Sequence, residues 1–456
     1  MMEQDKSGIE GPPDENRPVT LFSAVIIVIA NMIGIGVFTT LGFQVASLPS
    51  PFAVLMLWVL GAVGAFCGAL CYGELGALMP RSGGEYTYLS QIYHPALGFL
   101  SGWVSMVAGF AAPIALAAIA LGEYAGALLP GLDKTVAAVS VIVILSLVHL
   151  TDVKFGCHFQ NLFTVGKILL IAAFIVLGFL VTDPQNIVLT PSHRDLESIF
   201  SPAFAISLVY VFYAYSGWNS AAYVAGEIQR PEKNLPIALF WGSAFVALCY
   251  CLINYVFLYT VPMSELAGQI DVGYLSAKSI FGPRGAAIMT VLICVALISS
   301  LSSLVMVGPR VTQAMSEDLK RLRFLAARNR RGAPVYAIIL QALVAIFLTL
   351  TVTFNAVLTY VGFTLALFAS LTVLGVFVLR RRRPHLTRPF KTWGYPVTPA
   401  IFLLLYGWMI VYLIIERPLP SLCGLLTLAS GLLLYKLLAP ASPPGPLKNL
   451  VDKSIS

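Results

Sequence analysis

Long apolar runs recur along the whole chain and constrain its fold more than any other feature. They mark approximate spans at residues 20–42, 52–79, 97–127, 134–150, 159–181, 200–227, 238–261, 285–311, 335–353, 355–379, 397–414 and 420–438. About 20 helical residues cross the roughly 30 Å hydrocarbon core of a bilayer. Only 11% of the 456 residues are charged, against about 25% in an ordinary soluble domain. The sequence therefore predicts an all-α integral membrane protein with twelve transmembrane helices.

The predicted spans and their short connections leave no room for a soluble catalytic domain, which excludes kinases, nucleases and cytosolic dehydrogenases. Continuous apolar runs also differ from the alternating ten-residue segments of a β-barrel. The spans contain neither a His-Glu-x-x-His motif nor paired aspartates, either of which would indicate an intramembrane enzyme. A phosphate-binding Gly-x-x-x-x-Gly-Lys-Ser/Thr motif is missing too. We expect neither an enzyme nor an ATP-driven pump, and no cofactor.

Basic residues indicate the orientation of the chain. The net charge is +7, which in a membrane protein reports topology before it suggests a nucleic-acid partner. With the N-terminus inside, 21 Lys and Arg residues lie in cytoplasmic segments and 5 outside, while Lys167 and Arg310 lie within spans. The run 380–383 then forms a solvated anchor, with anionic-lipid binding as the alternative. We predict a multi-pass protein of the cell membrane with both termini cytoplasmic and no nucleic-acid partner.

The predicted organisation has six parts. They are a disordered cytoplasmic tail at 1–18, five-helix repeats at 19–181 and 200–379, a basic cytoplasmic loop at 380–396, two peripheral helices at 397–438 and a cytoplasmic tail at 439–456. The seven cysteines lie in predicted spans or in a cytoplasmic loop, and none has the spacing of metal ligands. We expect neither structural disulfides nor a metal site.

Two spans contain segments that discourage a helix near the middle of the bilayer. These are Asn31–Phe38 in the first span and Tyr213–Asn219 in the sixth. An interrupted helix in lipid is costly unless the interruption lines a cavity. Because spans 1 and 6 each lead a five-helix half, the matched interruptions indicate an inverted-repeat transporter with a midplane binding site. The alternative is that the glycines only permit close helix packing.

Broken helices of this kind suit a zwitterion. Unwinding at Gly34–Gly36 would present amides and the positive end of a helix dipole to a carboxylate. Unwinding near Ala214–Gly217 would offer main-chain carbonyls to an ammonium. An α-amino acid has both groups, and it is the substrate class that the two interruptions predict.

Four sequence runs extend this interpretation. The run CYGELGALMPRSGGEYTY at 71–88 and the run GEIQRPEKNLPIA at 226–238 closely resemble signatures of the amino acid/polyamine/organocation (APC) superfamily. The run YSGWN at 215–219 and the run QNLFTVGK at 160–167 are most similar to the L-type amino acid transporters. The resemblance extends from about residue 20 to span 10. It implies a 5+5 inverted-repeat core with broken helices 1 and 6, two peripheral helices and alternating access.

The resemblance also implies roles for individual residues. The substrate carboxylate would be held by Ile33, Gly34, Ile35 and Gly36. Tyr213 would be the aromatic gate, Ala214 and Gly217 would meet the amine, and Trp218 and Asn219 would support the site. Many eukaryotic L-type members have a cysteine between spans 3 and 4 that links a heavy subunit, but the loop 129–134 has none. A free-standing transporter of prokaryotic type, with no disulfide-linked heavy subunit, is implied.

Lys167 is the most unusual charge in the predicted spans. A charged side chain within a span is costly and usually marks function, although its long stem can reach the interface. The resemblance implies that its ammonium replaces the sodium ion of sodium-coupled relatives. Candidate sodium ligands remain on span 8, at Ser299, Ser300, Ser302 and Ser303, although helical hydroxyls more often bond to their own backbone.

Other ionisable groups near the ends of spans are interpreted as interfacial. We expect Glu74, Glu227 and Arg310 to reach water, Glu227 to pair with Arg230, and His149 to lie at an interface. Glu123 is also expected at the interface, with proton transfer or attraction of cationic substrates as alternatives. These residues therefore enter no predicted substrate site.

The sequence thus predicts a sodium-independent exchanger or uniporter of neutral L-amino acids. No carboxylate appears near the middle of spans 3, 8 or 10 to bind a cationic side chain. A proton-coupled symporter and a transporter of cationic amino acids or polyamines are the alternatives. A sensor that keeps the transporter fold without transport is the alternative from another class.

Overall fold

The computed structural model describes residues 17–34, 36–129, 131–151, 153–181, 183–269, 271–351 and 354–438. Apart from residues 17 and 18, the two predicted tails lie outside this part of the chain. The helices are α1 (Leu21–Met32), α2 (Gly36–Thr39), α3 (Leu41–Val45), α4 (Pro51–Leu78), α5 (Glu85–Ile92), α6 (Pro95–Val104), α7 (Ala112–Leu128), α8 (Lys134–Thr151), α9 (Val153–Gly178), α10 (His193–Ile199), α11 (Pro202–Tyr215), α12 (Ser220–Tyr223), α13 (Pro231–Thr260), α14 (Met263–Leu266), α15 (Val272–Asp318), α16 (Val335–Thr351), α17 (Phe354–Arg382), α18 (Val397–Glu416) and α19 (Pro418–Leu438). A π-helical segment, Ser105–Ala111, joins α6 to α7.

The fold is all-helical and made for a membrane. Within the described residues, ten helices are long and apolar enough to cross a bilayer, or eleven if the bent pair α10 and α11 counts as one span. The ninth predicted span corresponds to α16, whose 17 residues make it a shorter apolar helix. The all-α prediction is confirmed, whereas the count of twelve spans stays a prediction.

The two interrupted spans lie side by side and run in opposite directions. Val19, just before α1, forms an isolated parallel β-bridge with Ile228, which follows α12, so the bridge shows only that these two positions are adjacent. Further along α1, the Ile27 carbonyl accepts a hydrogen bond from the Ser220 hydroxyl at 3.3 Å. Residues that come later in the first span therefore meet residues that come earlier in the sixth. This antiparallel register places the two interruptions next to each other.

A short helix, α5, folds back between the second and third spans. Gly83 and Gly84 have φ values of +113° and +52°, a region that side chains strongly disfavour. They reverse the chain just before Glu85 begins α5. Because the reversal returns α5 to the protein interior, six of its eight residues are buried, and Glu85 is one of them.

Three charges that we expected to reach water, Glu74, Glu227 and Arg310, instead form ion pairs with distant residues. Glu74 is 2% exposed, and its carboxylate receives two hydrogen bonds from Arg380, at 3.0 and 2.6 Å. Glu227 pairs with Arg310 at 3.2 Å, so the expected pairing with Arg230 is corrected. The sequence did not predict either partner, because each pair joins residues that are far apart in the chain.

His149 is a further correction. It is 4% exposed and its Nε2 lies 2.8 Å from the Ser302 hydroxyl, so it faces α15 rather than an interface. Glu123 does lie in an exposed position, where it pairs with Lys134. Its carboxylate is therefore engaged at the end of α7 and away from the helix interruptions.

Candidate binding site at the two broken helices

The first interruption begins where α1 ends at Met32, and the next helix starts at Gly36. Ile35 lies outside the described residues, so its predicted role has no structural account here. The end of α1 leaves carbonyl groups without helical partners, and side chains from other spans supply donors. The Tyr250 hydroxyl of α13 lies 2.5 Å from the carbonyl of Met32 and 3.1 Å from that of Ala214. One phenol thus joins the two broken spans.

Lys167 is a second donor to the end of α1. Its ammonium donates to the carbonyl of Ala30 at 3.1 Å, to that of Ile33 and to the Ser300 hydroxyl at 3.1 Å. The side chain is only 1% exposed, so it does not reach an interface. Its charge is stabilised by hydrogen bonds to three neutral oxygen acceptors, the ligand type that also binds hard metal cations. The ammonium therefore occupies a position suited to a cation, between α9, α1 and α15.

The four serines proposed as sodium ligands are dispersed around α15. Ser300 bonds to Lys167 and to the Ile33 carbonyl at 2.7 Å, and Ser299 lies 3.2 Å from the Thr164 hydroxyl. Ser302 faces His149, while Ser303 accepts a hydrogen bond from Asn31. Their hydroxyls point to three different spans, so the four serines do not meet at one point.

The second interruption lies slightly later than the sequence suggested. Ala214 is still helical, because α11 continues to Tyr215, and α12 begins at Ser220. Gly217, in the interruption, has φ of +95°, which favours glycine. The main-chain carbonyls predicted for an ammonium are therefore at the end of α11 and in the turn that follows.

Glycines allow the two interruptions to touch. A Cβ atom at Gly36 would lie 2.7 Å from the Cα of Ala214, and one at Gly217 would lie 2.8 Å from the carbonyl carbon of Asn31. Side chains cannot be accommodated at such distances. Gly34 differs, since a Cβ there would have nothing closer than the Met32 oxygen at 3.9 Å. Close packing thus explains Gly36 and Gly217, whereas space at Gly34 is left for another group.

One cavity lies at the meeting point of the broken spans. It is lined by seven of the predicted site residues, namely Gly34, Gly36, Tyr213, Ala214, Gly217, Trp218 and Asn219. Ile33 and Lys167 are not among its lining residues, because the Ile33 carbonyl and the Lys167 ammonium bond to each other behind it. Phe110 of the π-helical segment and Leu365 of α17 complete an apolar wall. The cavity thus joins main-chain polar groups to an apolar wall.

Trp218 and Asn219 connect the cavity to its surroundings. The Trp218 ring packs edge-on against Tyr72, with ring centres 4.7 Å apart. Asn219 donates to the Glu85 carboxylate at 3.1 Å and to the Tyr223 hydroxyl at 3.0 Å. These contacts hold the second interruption against α4 and α5, as expected for supporting residues.

Glu85 lines the cavity although sequence reasoning left it out. This carboxylate comes from the connection between spans 2 and 3, and not from the middle of spans 3, 8 or 10. The signal was an acid directly after Gly83 and Gly84, since paired glycines indicate a chain reversal. Tyr250 was missed as well, and a tyrosine within a long apolar span carries no distinguishing pattern.

Comparison with known proteins points to the same class of molecule. Residues 19–432 match the model of a family described as amino acid permease. The chain is 28% identical to the human b(0,+)-type amino acid transporter 1, over 92% of this chain and 87% of the relative. It is 26% identical to the human large neutral amino acids transporter small subunit 2, over 92% of this chain and 80% of the relative. The mouse b(0,+)-type protein is 27% identical over a similar length.

Proposed function

Because the chain belongs to the amino acid permease family of the APC superfamily, we propose that it is a sodium-independent exchanger or uniporter of neutral L-α-amino acids. The protein is a multi-pass membrane protein of amino acid transport and not an enzyme. It would move its substrate by alternating access, through rocking of a helix bundle within the core formed by the five-helix repeats at 19–181 and 200–379.

The position of Lys167 is the observation that carries sodium independence. A resident ammonium bonded to Ala30, Ile33 and Ser300 leaves those oxygens engaged. A sodium ion there would face a positive charge within bonding distance of the same oxygens, and like charges in a poorly solvated site repel strongly. The fixed ammonium therefore binds the oxygens that a bound cation would contact in another transporter.

The substrate would bind across the two interruptions. We assign its carboxylate to the main chain at Ile33, Gly34, Ile35 and Gly36, and its amine to Ala214 and Gly217. Tyr213 would close over the bound substrate as the gate, with Trp218 and Asn219 as supports. The open space at Gly34 and the inclusion of Tyr213 in the cavity lining support this assignment.

The apolar part of the lining favours neutral side chains. Phe110, Pro113 and Leu365 provide surfaces that reward burial of an uncharged side chain, at about 0.8 kcal/mol per methylene. A relative named as a transporter of large neutral amino acids supports the same class. Cationic amino acids, polyamines and proton coupling stay as alternatives.

We further propose that both termini face the cytoplasm and that the protein works without a disulfide-linked heavy subunit. The first proposal depends on the distribution of 21 basic residues inside against 5 outside. The second depends on the loop 129–134, which contains no cysteine. A relative named as a small subunit makes the second proposal worth a direct test.

Reconstitution tests the transport proposal. Proteoliposomes loaded with one unlabelled neutral amino acid should take up its labelled form, because an exchanger trades one for the other. The uptake rates of loaded and unloaded vesicles distinguish exchange, which needs an internal amino acid, from uniport, which does not. Saturable binding in detergent without any flux in vesicles would identify a sensor and contradict the proposal.

A further inference from the structure

Glu85 is a buried acid for which the proposed transport mechanism has no use. It is 2% exposed, yet it belongs to the lining of the cavity. Its Oε1 accepts hydrogen bonds from the Tyr72 hydroxyl at 2.6 Å and from Asn219 at 3.1 Å. Its Oε2 is buried and has no hydrogen-bond partner among the described residues. One oxygen is therefore held firmly while the other is left for an additional ligand.

The groups that act on Glu85 are tyrosines. Tyr72 of α4 and Tyr223 of α12 form hydrogen bonds in its cluster, and Tyr88 of α5 and Tyr406 of α18 lie close enough to be influenced by its charge. No Lys or Arg among the described residues pairs with it.

Neighbouring elements supply no counter-ion either. Helix α6 has no ionisable side chain, and α17 contributes the neutral Thr372, which bonds to Tyr72. From α15, Asp318 binds Arg81 and the Tyr86 hydroxyl. An ionised Glu85 would thus be an unpaired buried charge, which is costly. Burial raises the pKa of the Glu85 carboxyl to about 7, although the hydrogen bonds from Tyr72 and Asn219 and the nearby Tyr223 hydroxyl act in the opposite direction.

We propose that Glu85 is a proton-binding site whose occupancy changes during transport, so that a proton moves with the neutral amino acid. The inference rests on the amino acid transport proposed above, and it replaces exchange or uniport without a proton by the alternative named there, proton-coupled symport. Oε2 takes the proton from water when the cavity opens to one side and returns it to water on the other side. No bond of the substrate changes, and the charge of the carboxyl alternates between zero and minus one.

The proton fits the geometry better than a cationic side chain does. Oε2 is covered by protein, so a substrate ammonium would have to displace the side chains that cover it. A proton needs only transient access by water. Cationic side chains are therefore the competing outcome of the experiment.

Asn219 supplies the coupling to the substrate site. It bonds to Glu85 and follows Trp218 and Gly217, which line the cavity in the second interruption. An amide donates more strongly to a carboxylate than to a neutral carboxyl. Ionisation of Glu85 would therefore hold the interruption in place, and protonation would loosen it.

Uptake into proteoliposomes with an imposed proton gradient tests the proposal. A gradient of one pH unit, acidic on the side of substrate addition, can raise accumulation up to about tenfold for one coupled proton. The potential is clamped with potassium and valinomycin, and enclosed pyranine reports proton entry. We expect both signals in the natural protein. In Glu85→Gln the gradient should no longer raise accumulation or proton entry above the level that the variant itself shows at equal pH. Glu197→Gln, at a side chain 68% exposed on α10, is the matched control and should behave as the natural protein.

Tyr72→Phe provides a graded test that keeps the carboxyl. It removes one hydrogen bond to Oε1, which stabilises the ionised form, so the pH midpoint of uptake should move to higher pH. Size-exclusion profiles identify any variant that fails to fold. If Glu85→Gln does not fold, an unchanged midpoint in Tyr72→Phe would overturn the proposal.

Infrared titration separates failure of the proton site from failure of transport. The detergent-solubilised protein should show a protonated-carboxyl band that disappears with an apparent pKa near neutrality and is absent from Glu85→Gln. This band would support the proton site even if reconstituted vesicles show no flux, an outcome that contradicts the transport proposal alone. Absence of the band, or a gradient response kept in Glu85→Gln, would overturn the proton site. The proton site would also be overturned if Glu85→Gln kept the response to the gradient and lost only the inhibition of neutral amino acid uptake by lysine. Glu85 would then bind the cationic side chain.

Discussion

The ammonium nitrogen of Lys167 lies 3.1 Å from the carbonyl oxygen of Ala30, in the last turn of α1. A lysine on the fifth span thereby completes the hydrogen bonding of a helix that stops within the protein. The contact ties the position of one positive charge to the geometry of the first interruption. It also explains why a lysine can be kept in so buried a position.

Substitution of Lys167 by alanine should reduce transport at least about tenfold while the protein still inserts. The change removes the ammonium donor to the carbonyls of Ala30 and Ile33, of which Ile33 keeps the Ser300 hydroxyl. Loss of a hydrogen bond from a charged group costs about 1.5–3 kcal/mol. Uptake of a labelled neutral amino acid, normalised to protein in the vesicles, measures the effect. Lys436→Ala, on an exposed position of α19, should transport normally.

Replacing sodium by choline in the uptake buffer should leave transport by the natural protein unchanged, because Lys167 already supplies the positive charge. Initial rates in the two buffers provide the measurement. A large loss in choline would refute sodium independence and turn attention back to the serines of α15.

A cysteine introduced at Arg382 should be protected from an impermeant thiol reagent in intact cells. The residue ends α17 within the basic cluster, and the charge asymmetry places that cluster inside. A cysteine at exposed Leu132, in the loop between α7 and α8, is the matched control and should react. Labelling at position 382 with protection at 132 would reverse the assigned orientation.

Neutral L-amino acids should compete for uptake more effectively than arginine, lysine or putrescine. The main-chain groups of the interruptions satisfy one carboxylate and one ammonium, and a second ammonium would need its own acceptor. A panel of the twenty amino acids at equal concentration ranks them. Saturable arginine uptake with higher affinity than any neutral amino acid would contradict the substrate assignment.

Tyr213→Ala should impair uptake of every substrate, since it removes the ring that closes the site.

The ion pair between Glu74 and Arg380 should contribute measurably to stability. Glu74→Gln leaves Arg380, and Arg388 whose Nε lies 3.2 Å from the same carboxylate, without a negative partner. Loss of one member of a buried pair costs about 3–5 kcal/mol, so the apparent melting temperature in detergent should fall clearly. Glu317→Gln, at a side chain 45% exposed and 3.6 Å from Arg81, should change it little. Equal effects of the two changes would argue against a special role for the buried pair.

The stability of the natural protein should decrease as the pH rises toward neutrality, through Glu85. Its carboxyl pKa is raised from 4.5 to about 7, so between these values the folded protein holds a proton that the unfolded chain releases. One such proton changes the free energy of unfolding by at most about 1.4 kcal/mol per pH unit. Melting temperatures measured from pH ~5 to ~7 should therefore fall less steeply in Glu85→Gln. Parallel slopes would show that Glu85 does not titrate in this range.

The sequence by itself determined the membrane class and the positions of the helix interruptions. Both follow from local properties, since apolar runs must cross lipid and glycine-rich stretches within them cannot stay regular at low cost. The motifs that identify the family are local as well. The second interruption begins two residues later than Ala214, at Ser216, where contacts of the last turn of α11 with α13 and α4 belong to the tertiary structure.

Only the tertiary structure decided which charges meet. Glu74 pairs with a residue 306 positions away, Glu227 with one 83 positions away, and Glu85 enters the cavity from a connecting segment. Buried charges are stabilised by partners that the packing of distant helices brings together, and no local pattern encodes that packing. The same reason explains Lys167. Its presence in a span was visible in the sequence, but its oxygen partners come from α1 and α15.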